Sequence, residues 1–198
     1  MNRVNSRPDL ILIGASTGGP QALLCILSGL PEDYPCPIVI TQHMPDSFIS
    51  NFVKQLDNVC ALQVKKADKG ELLTAGVVYV SAGDKCLQIC LNDNQMITAY
   101  EKPINTNDVC PSVNALFNSA ASLVDVKILA IILTGIGDDG TAGAIELKKQ
   151  GAHVWVQEEK SCAVFGMPKS ALLSGVVDQK LSLDEIVFKI EGVIAWIS

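Results

Sequence analysis

The chain has 198 residues, of which 48% are hydrophobic and 18% are charged. This composition is typical of a folded globular protein and excludes an intrinsically disordered one. The net charge of -6 and the lack of a basic run speak against nucleic-acid binding. No apolar run reaches the ~20 residues that a membrane span needs, and the polar stretch from Met1 to Pro8 is unlike a signal peptide. We therefore expect a cytoplasmic protein without membrane insertion.

Seven cysteines are scattered along the chain, and no two of them form a CxxC pair. This spacing does not match zinc-binding motifs, and an odd number of cysteines cannot form a complete disulfide framework. We expect buried thiols in a reducing cytosol, and neither a metal nor a cofactor.

The first half of the chain alternates apolar strands with amphipathic helices. A polar connector, Asn92-Asp93-Asn94, joins two further strands and predicts a β-hairpin. The elements predicted here are strand Leu10–Gly14, helix Pro20–Leu30, strand Pro37–Thr41, helix Ser47–Leu56 with Ser47 as its cap, and strands Ala61–Val64, Val77–Val80, Cys86–Leu91 and Met96–Tyr100.

The second half resumes the alternation. Val126–Leu133 is the most hydrophobic predicted strand, so we place it at the centre of the sheet. The other elements predicted here are helix Pro111–Val124, helix Thr141–Gln150 ended by Gly151, strand His153–Val156, and a final helix from Asp184 to Trp196 after a Ser182 cap.

This order predicts a doubly wound, mostly parallel α/β sheet of the Rossmann-like type, with an added antiparallel hairpin. We expect a short polar tail over residues 1–8 and a single catalytic domain over residues 9–198. In such sheets, ligands bind beyond the carboxyl ends of the parallel strands, so the functional residues should follow strand ends.

Three predicted strands end in residues that carry reactive groups. Ser16 lies in "GASTGG" after the first strand, His43 lies in "TQHMP" after the second, and Asp138 and Asp139 lie in "TGIGDDG" after the long apolar strand. A hydroxyl, an imidazole and a carboxylate at one sheet edge are the components of a Ser-His-Asp triad, which favours a hydrolase.

Other interpretations of these residues have to be weighed. Serine in a glycine-rich turn is often only a cap, and aspartates beside glycines often only form turns. A dinucleotide site is disfavoured because Ser16 replaces the second glycine of G-x-G-x-x-G, and because no acidic residue ends the second strand. His153 begins a strand and is most simply a structural residue.

The strings "IGASTGGP", "ITQHMP", "ILTGIGDDG" and "AVFGMP" resemble the catalytic domain of chemotaxis protein-glutamate methylesterases of the CheB type. The resemblance covers nearly the whole chain from about Asp9, with the motifs in the family's order. It implies that Ser16 is the nucleophile, His43 the base, and Asp139 rather than Asp138 the third member. It also implies an oxyanion and substrate loop at Thr17 and Ile136, with Ile136 where the family usually has methionine.

The implied activity is hydrolysis of glutamate methyl esters on the cytoplasmic helices of methylated chemoreceptors, in many members together with deamidation of receptor glutamines. The alternative is a related binding module whose ester substrate differs or whose catalysis is lost.

A receiver domain commonly precedes this domain in the family, and only about eight residues precede the first strand here. We therefore expect no receiver domain, activity independent of phosphodonors, and a receiver or response regulator as a partner only in trans. The family's basic loop before "PSV" and the acidic residue after it are also replaced, since residues 108–114 read "DVCPSVN".

Overall fold

The computed structural model of the protein describes residues 7–101 and 110–191. The strands are β1 (Leu10–Ala15), β2 (Ile38–Gln42), β3 (Gln63–Lys66), β4 (Val77–Val80), β5 (Cys86–Asn92), β6 (Gln95–Glu101), β7 (Ile128–Ile132), β8 (His153–Gln157) and β9 (Gln179–Leu181). The helices are α1 (Gly19–Ser28), α2 (Asp46–Val59), α3 (Val113–Ala120), α4 (Thr141–Lys149), α5 (Met167–Leu173) and α6 (Leu183–Glu191), with a 3₁₀ turn over Glu159–Ser161.

Seven strands form one sheet in the order β3-β4-β2-β1-β7-β8-β9, and every pair in it is parallel. All residues of β1, β2 and β7 are buried, as expected for central strands covered on both faces. The order reverses between β1 and β7, which makes this pair of strands the topological switch point of the sheet. The predicted fold class is confirmed.

Helices cover both faces of the sheet. Ile11 and Ile13 of β1 pack with α1, α2 and α6, whereas Leu10 and Leu12 of the same strand pack with α3, α4 and α5. This alternation follows from the two-residue period of a strand, which sends successive side chains to opposite faces. The apolar stretches along β1, β2 and β7 therefore supply two core layers at once.

The predicted hairpin is confirmed as β5 and β6, which pair in antiparallel register from Cys86↔Glu101 to Asn92↔Gln95. Asp93 and Asn94 form its turn with φ of 49° and 62°. Both residue types tolerate this left-handed conformation, which a tight two-residue hairpin turn requires. The Ile89 N–H donates to Ser119 Oγ at 3.0 Å, so the hairpin is tied to α3.

Several predicted boundaries are wrong. Ser47 does not cap α2, because the helix begins one residue earlier, at Asp46, with Pro45 in the cap position and no side-chain cap. Helix α3 is shorter at both ends than predicted. It starts after Ser112, which caps it by accepting from the Ala115 N–H, and it ends at Ala120, before the C-cap residue Ala121. Helix α5 and strand β9 were not predicted, and β9 has only three residues.

The final helix begins as predicted after Ser182. Ser182 Oγ accepts from the Glu185 N–H at 3.2 Å, and a Glu185 carboxylate oxygen accepts from the Ser182 N–H at 2.7 Å. This reciprocal pair is a capping box. The predicted continuation of the helix to Trp196 lies outside the described residues.

The expectation of free thiols is wrong for two cysteines, since Cys86 and Cys110 form a disulfide. They are far apart in sequence but adjacent in space, because β5 lies beside the segment that enters α3. Of the remaining cysteines, Cys36 is buried and Cys90 is exposed. Within residues 7–101 and 110–191, no helix is long and apolar enough to cross a membrane, and no cluster of side chains is suited to a metal.

Candidate active site

Ser16 and His43 follow two neighbouring strands. Strands β1 and β2 pair in parallel up to Ala15↔Gln42, and the His43 N–H then donates to the Ala15 carbonyl at 3.0 Å. Ser16 and His43 are therefore the first residues beyond the carboxyl ends of adjacent strands. The sheet register brings these two predicted site residues together.

Ser16 begins a tight turn into α1. The Gly19 N–H donates to the Ser16 carbonyl at 2.8 Å, and Gly18 has a φ of 82°, as the third residue of a type II turn requires. Gly18 thus lets the chain reverse directly after the serine, and this holds Ser16 half-buried at the edge of the sheet. The Ser16 N–H also donates to the Thr134 carbonyl at 3.0 Å, which fixes the turn to the end of β7.

Asp139 contacts His43 and the start of α3. His43 Nε2 lies 2.7 Å from Asp139 Oδ2, and the N–H groups of Val113 and Asn114 donate to the carboxylate at 2.7 and 2.8 Å. Ser112 Oγ donates to the carboxylate at 3.2 Å. The N-terminus of a helix favours an anion, so α3 binds the carboxylate that orients the imidazole.

Asp138 has none of these contacts. Its side chain is exposed, and among the described residues only its backbone carbonyl forms a hydrogen bond, accepting from the Thr141 N–H at 3.0 Å. Of the two adjacent aspartates, the structure brings Asp139 to His43.

The environment of Asp139 fixes the tautomer of His43. Burial raises the pKa of Asp139, but hydrogen bonds from His43, Asn114 and Val113 outweigh it, so the pKa lies below its ordinary value of 3.8. An ionised carboxylate only accepts, so Nε2 of His43 carries the proton in this contact. Nδ1 is therefore the ring nitrogen with a lone pair, and among the described residues no hydrogen bond joins it to Ser16 Oγ.

Two backbone N–H groups beside Ser16 are available to a ligand. In the part of the chain that the structure describes, the N–H groups of Thr17 and Ile136 donate to no acceptor. A Cβ built on Gly135 would lie 2.7 Å from Ser16 Cβ, so the backbone leading into Ile136 passes directly against the serine. Donors in this position suit a developing oxyanion.

Two polar residues at the site were missed by the sequence analysis. Asn114 Oδ1 accepts from the N–H groups of Gly140 and Gly143 at 3.0 and 2.9 Å, which caps the start of α4. The Gln42 side chain is buried and donates to the carbonyls of Ser16 and His43. The available signal was position alone, since Gln42 directly precedes His43 and Asn114 follows the "PSV" string.

The arrangement is suited to nucleophilic acyl transfer. It combines a serine hydroxyl, an imidazole oriented by a half-buried carboxylate, and backbone donors for negative charge. His153 lies elsewhere, at the opposite end of the sheet, where β8 begins.

Comparisons with known proteins identify the family of this chain. Residues 11–190 match the model of a family described as CheB methylesterase. The fold is similar to the crystal structure of the Thermotoga maritima CheB methylesterase catalytic domain, with a TM-score of 0.89 and 37% identity, covering 96% of this chain and 100% of that one.

Curated relatives carry the name protein-glutamate methylesterase/protein-glutamine glutaminase. One from Vibrio parahaemolyticus is 43% identical over 181 residues, covering 90% of this chain and 48% of the relative. Another, from Pseudoalteromonas translucida, is 41% identical over 184 residues, covering 92% of this chain and 47% of the relative. The chain thus spans about half the length of these relatives.

Proposed function

The chain belongs to the CheB methylesterase family, and we propose that it hydrolyses glutamate methyl esters on the cytoplasmic helices of chemoreceptors. The observation that carries this proposal is the contact between His43 Nε2 and Asp139 Oδ2 at 2.7 Å, at the sheet edge where Ser16 follows β1. The relatives' shared name supports a second reaction at the same site, deamidation of receptor glutamines.

In the first step, His43 Nδ1 accepts the proton of Ser16 as Oγ bonds to the ester carbonyl carbon. The carbonyl oxygen becomes an oxyanion, which the N–H groups of Thr17 and Ile136 stabilise. The imidazolium that forms lies against the ionised carboxylate of Asp139, which stabilises its positive charge.

In the second step, the C–O bond to the methoxy group breaks and His43 returns its proton to the leaving oxygen, which releases methanol. A glutamyl ester on Ser16 remains. Water then attacks that ester with His43 again accepting a proton. The bond between the acyl carbon and Ser16 Oγ breaks, His43 returns the proton to Ser16, and the glutamate carboxylate is released. With a glutamine substrate the same steps release ammonia instead of methanol.

The partner in this proposal is a methylated chemoreceptor, and the location is the cytoplasm, where those helices lie. Residues 9–198 act as the catalytic unit in this proposal. The resemblance also predicts a receiver domain or response regulator as a partner of this chain in trans, and this stays a prediction.

The experiment that tests the proposal is methanol release from membranes containing a methylated chemoreceptor, with Ser16→Ala as the control. We expect release by the wild-type chain and none by the variant. A wild-type chain that binds the receptor but releases no methanol would contradict the proposal and favour a binding module.

A further inference from the structure

Gln42 links the backbones of the nucleophile and the base. Its side-chain Nε2 donates to the Ser16 carbonyl at 3.0 Å and to the His43 carbonyl at 3.0 Å. We propose that Gln42 is a positioning residue that fixes the spacing between Ser16 and His43. The inference deepens the proposed function and rests on its assignment of these two residues.

The link lies where strand pairing ends. The parallel register of β1 and β2 stops at Ala15↔Gln42, and the last backbone hydrogen bond between the two strands runs from the His43 N–H to the Ala15 carbonyl. Among the described residues, the Gln42 amide is the next connection between the two chain segments. Without the Gln42 amide, the backbones of Ser16 and His43 would no longer be joined at this point.

The amide group is held in place from behind by α1. A Cβ built on Gly19, the first residue of α1, would lie only 2.1 Å from Gln42 Oε1, 2.8 Å from Ala15 Cβ and 3.1 Å from Gln42 Cδ. Helix α1 therefore begins against the amide, and a larger residue at this position would displace the amide group.

The oxygen of the Gln42 side-chain amide, Oε1, favours a functional role for this residue over a structural one. Gln42 is 1% exposed, and its Oε1 has no hydrogen-bond partner in the described ranges. A buried polar atom without a partner destabilises a fold. An apolar side chain of similar length would remove this cost but would also remove both Nε2 hydrogen bonds, so the link between the backbones of Ser16 and His43 is what accounts for a glutamine here.

The burial of Gln42 also defines the kinetic effect of losing it. The side chain is inaccessible to substrate, so its loss should lower kcat and leave KM unchanged. The contact between His43 and Asp139 does not involve Gln42, so the pH of half-maximal kcat/KM should stay where it is in the wild-type chain. A general weakening of the fold would instead reduce the folded fraction, without lowering the rate of each folded molecule.

The test compares Gln42→Met, which has no donor, and Gln42→Asn, which keeps the amide but shortens its reach by one methylene. Thr41→Val is the matched control, since Thr41 is equally buried on the same strand and its hydroxyl has no partner among the described residues.

Ser16 reactivity is measured as the rate of labelling by a fluorophosphonate, and turnover as methanol release, both per folded molecule. We expect both rates to fall about 10- to 100-fold in Gln42→Met and in the same direction in Gln42→Asn. Thr41→Val should react like the wild-type chain.

Labelling of Gln42→Met at the wild-type rate would overturn the inference, and so would a loss that only follows the folded fraction. Failure of the proposed function is distinguishable, because labelling needs the reactive serine but not the receptor. If the wild-type chain is labelled yet releases no methanol, the substrate assignment is wrong, and the labelling rates of the variants still decide the role of Gln42.

Discussion

Four donors converge on the Asp139 carboxylate: His43 Nε2, Ser112 Oγ and the N–H groups of Val113 and Asn114. Together they leave the carboxylate one orientation, with Oδ2 against the imidazole. A carboxylate held this firmly can fix the tautomer of His43 throughout the reaction.

Replacing Asp139 by asparagine should therefore abolish most of the activity. The amide introduced by this change could present its N–H₂ group to Nε2 of His43 and favour the wrong tautomer, and in a comparable triad this change costs about 10⁴-fold in kcat. The measurement is methanol release at saturating receptor. The neighbouring Asp138→Asn is the control and should retain wild-type kcat, because Asp138 is exposed. Greater damage from Asp138→Asn would show that the wrong aspartate has been assigned.

The lowered pKa of Asp139 also predicts how stability depends on pH. Because the folded pKa lies below the ordinary 3.8, the carboxylate stabilises the fold fully above that value and loses this effect as the pH falls through the folded pKa. Urea unfolding of the wild-type chain and of Asp139→Asn should therefore differ more at about pH 6 than at about pH 3. A difference that stays constant or grows on acidification would contradict the assignment of the ionised, hydrogen-bonded state.

At the scale of elements, α3 and α4 cap each other. Asp139 precedes α4 and binds the first N–H groups of α3, whereas Asn114 in the first turn of α3 accepts from Gly140 and Gly143 at the start of α4. Each helix thus satisfies backbone donors of the other, and the aspartate at the site is held from both sides.

Asn114→Ala should lower both stability and activity. Loss of a helix cap costs about 1 kcal/mol, and the segment carrying Asp139 then loses the hydrogen bonds that Asn114 accepts from Gly140 and Gly143. The free energy of unfolding in urea and kcat are measured together. Asn118→Ala, at an exposed position one turn later, is the matched control and should change neither. Asn114→Asp keeps an acceptor oxygen and should retain the stability that Asn114→Ala loses; equal losses in both would argue against the cap.

The sequence predicts the elements that carry the site but not the residues that join them. Apolar runs predict β1, β2 and β7, the residues that follow them point to Ser16, His43 and an aspartate, and the family resemblance selects Asp139 over Asp138. Nothing in the sequence shows that Asn114 reaches α4, or that Gln42 turns back to two carbonyls, because these contacts depend on the packing of distant segments. Strand β9 was missed for the same reason, since its three residues are strand only by pairing with β8.

For the whole molecule, the topology of the sheet explains why residues far apart in sequence meet. The chain leaves β1 for β2 on one side and returns through β7 on the other, so the loops after all three strands lie at the switch point. This order places the segments that carry Ser16, His43 and Asp139 at the same edge of the sheet.

The disulfide between Cys86 and Cys110 ties the hairpin to the segment that enters α3, with a sequence separation of 24 residues. A cross-link of that length restricts the unfolded chain and stabilises the fold by roughly 3 to 4 kcal/mol. Cys86→Ser should therefore lower the urea midpoint under non-reducing conditions. Cys90→Ser, an exposed unpaired cysteine on the same strand, should leave it unchanged. If a dithiol reductant does not change the midpoint of the wild-type chain, the two thiols are not bonded in solution.

The most direct test of the mechanism is whether Ser16 and His43 act as one catalytic unit. Methanol release is measured for Ser16→Ala, for His43→Ala and for the double variant under saturating receptor. Each single variant should lose about 10⁶-fold in kcat, and the double variant should be scarcely worse, because each change alone removes the whole nucleophilic pathway. Losses that multiply in the double variant, or a His43→Ala variant that retains most of the wild-type kcat, would contradict a serine nucleophile activated by His43.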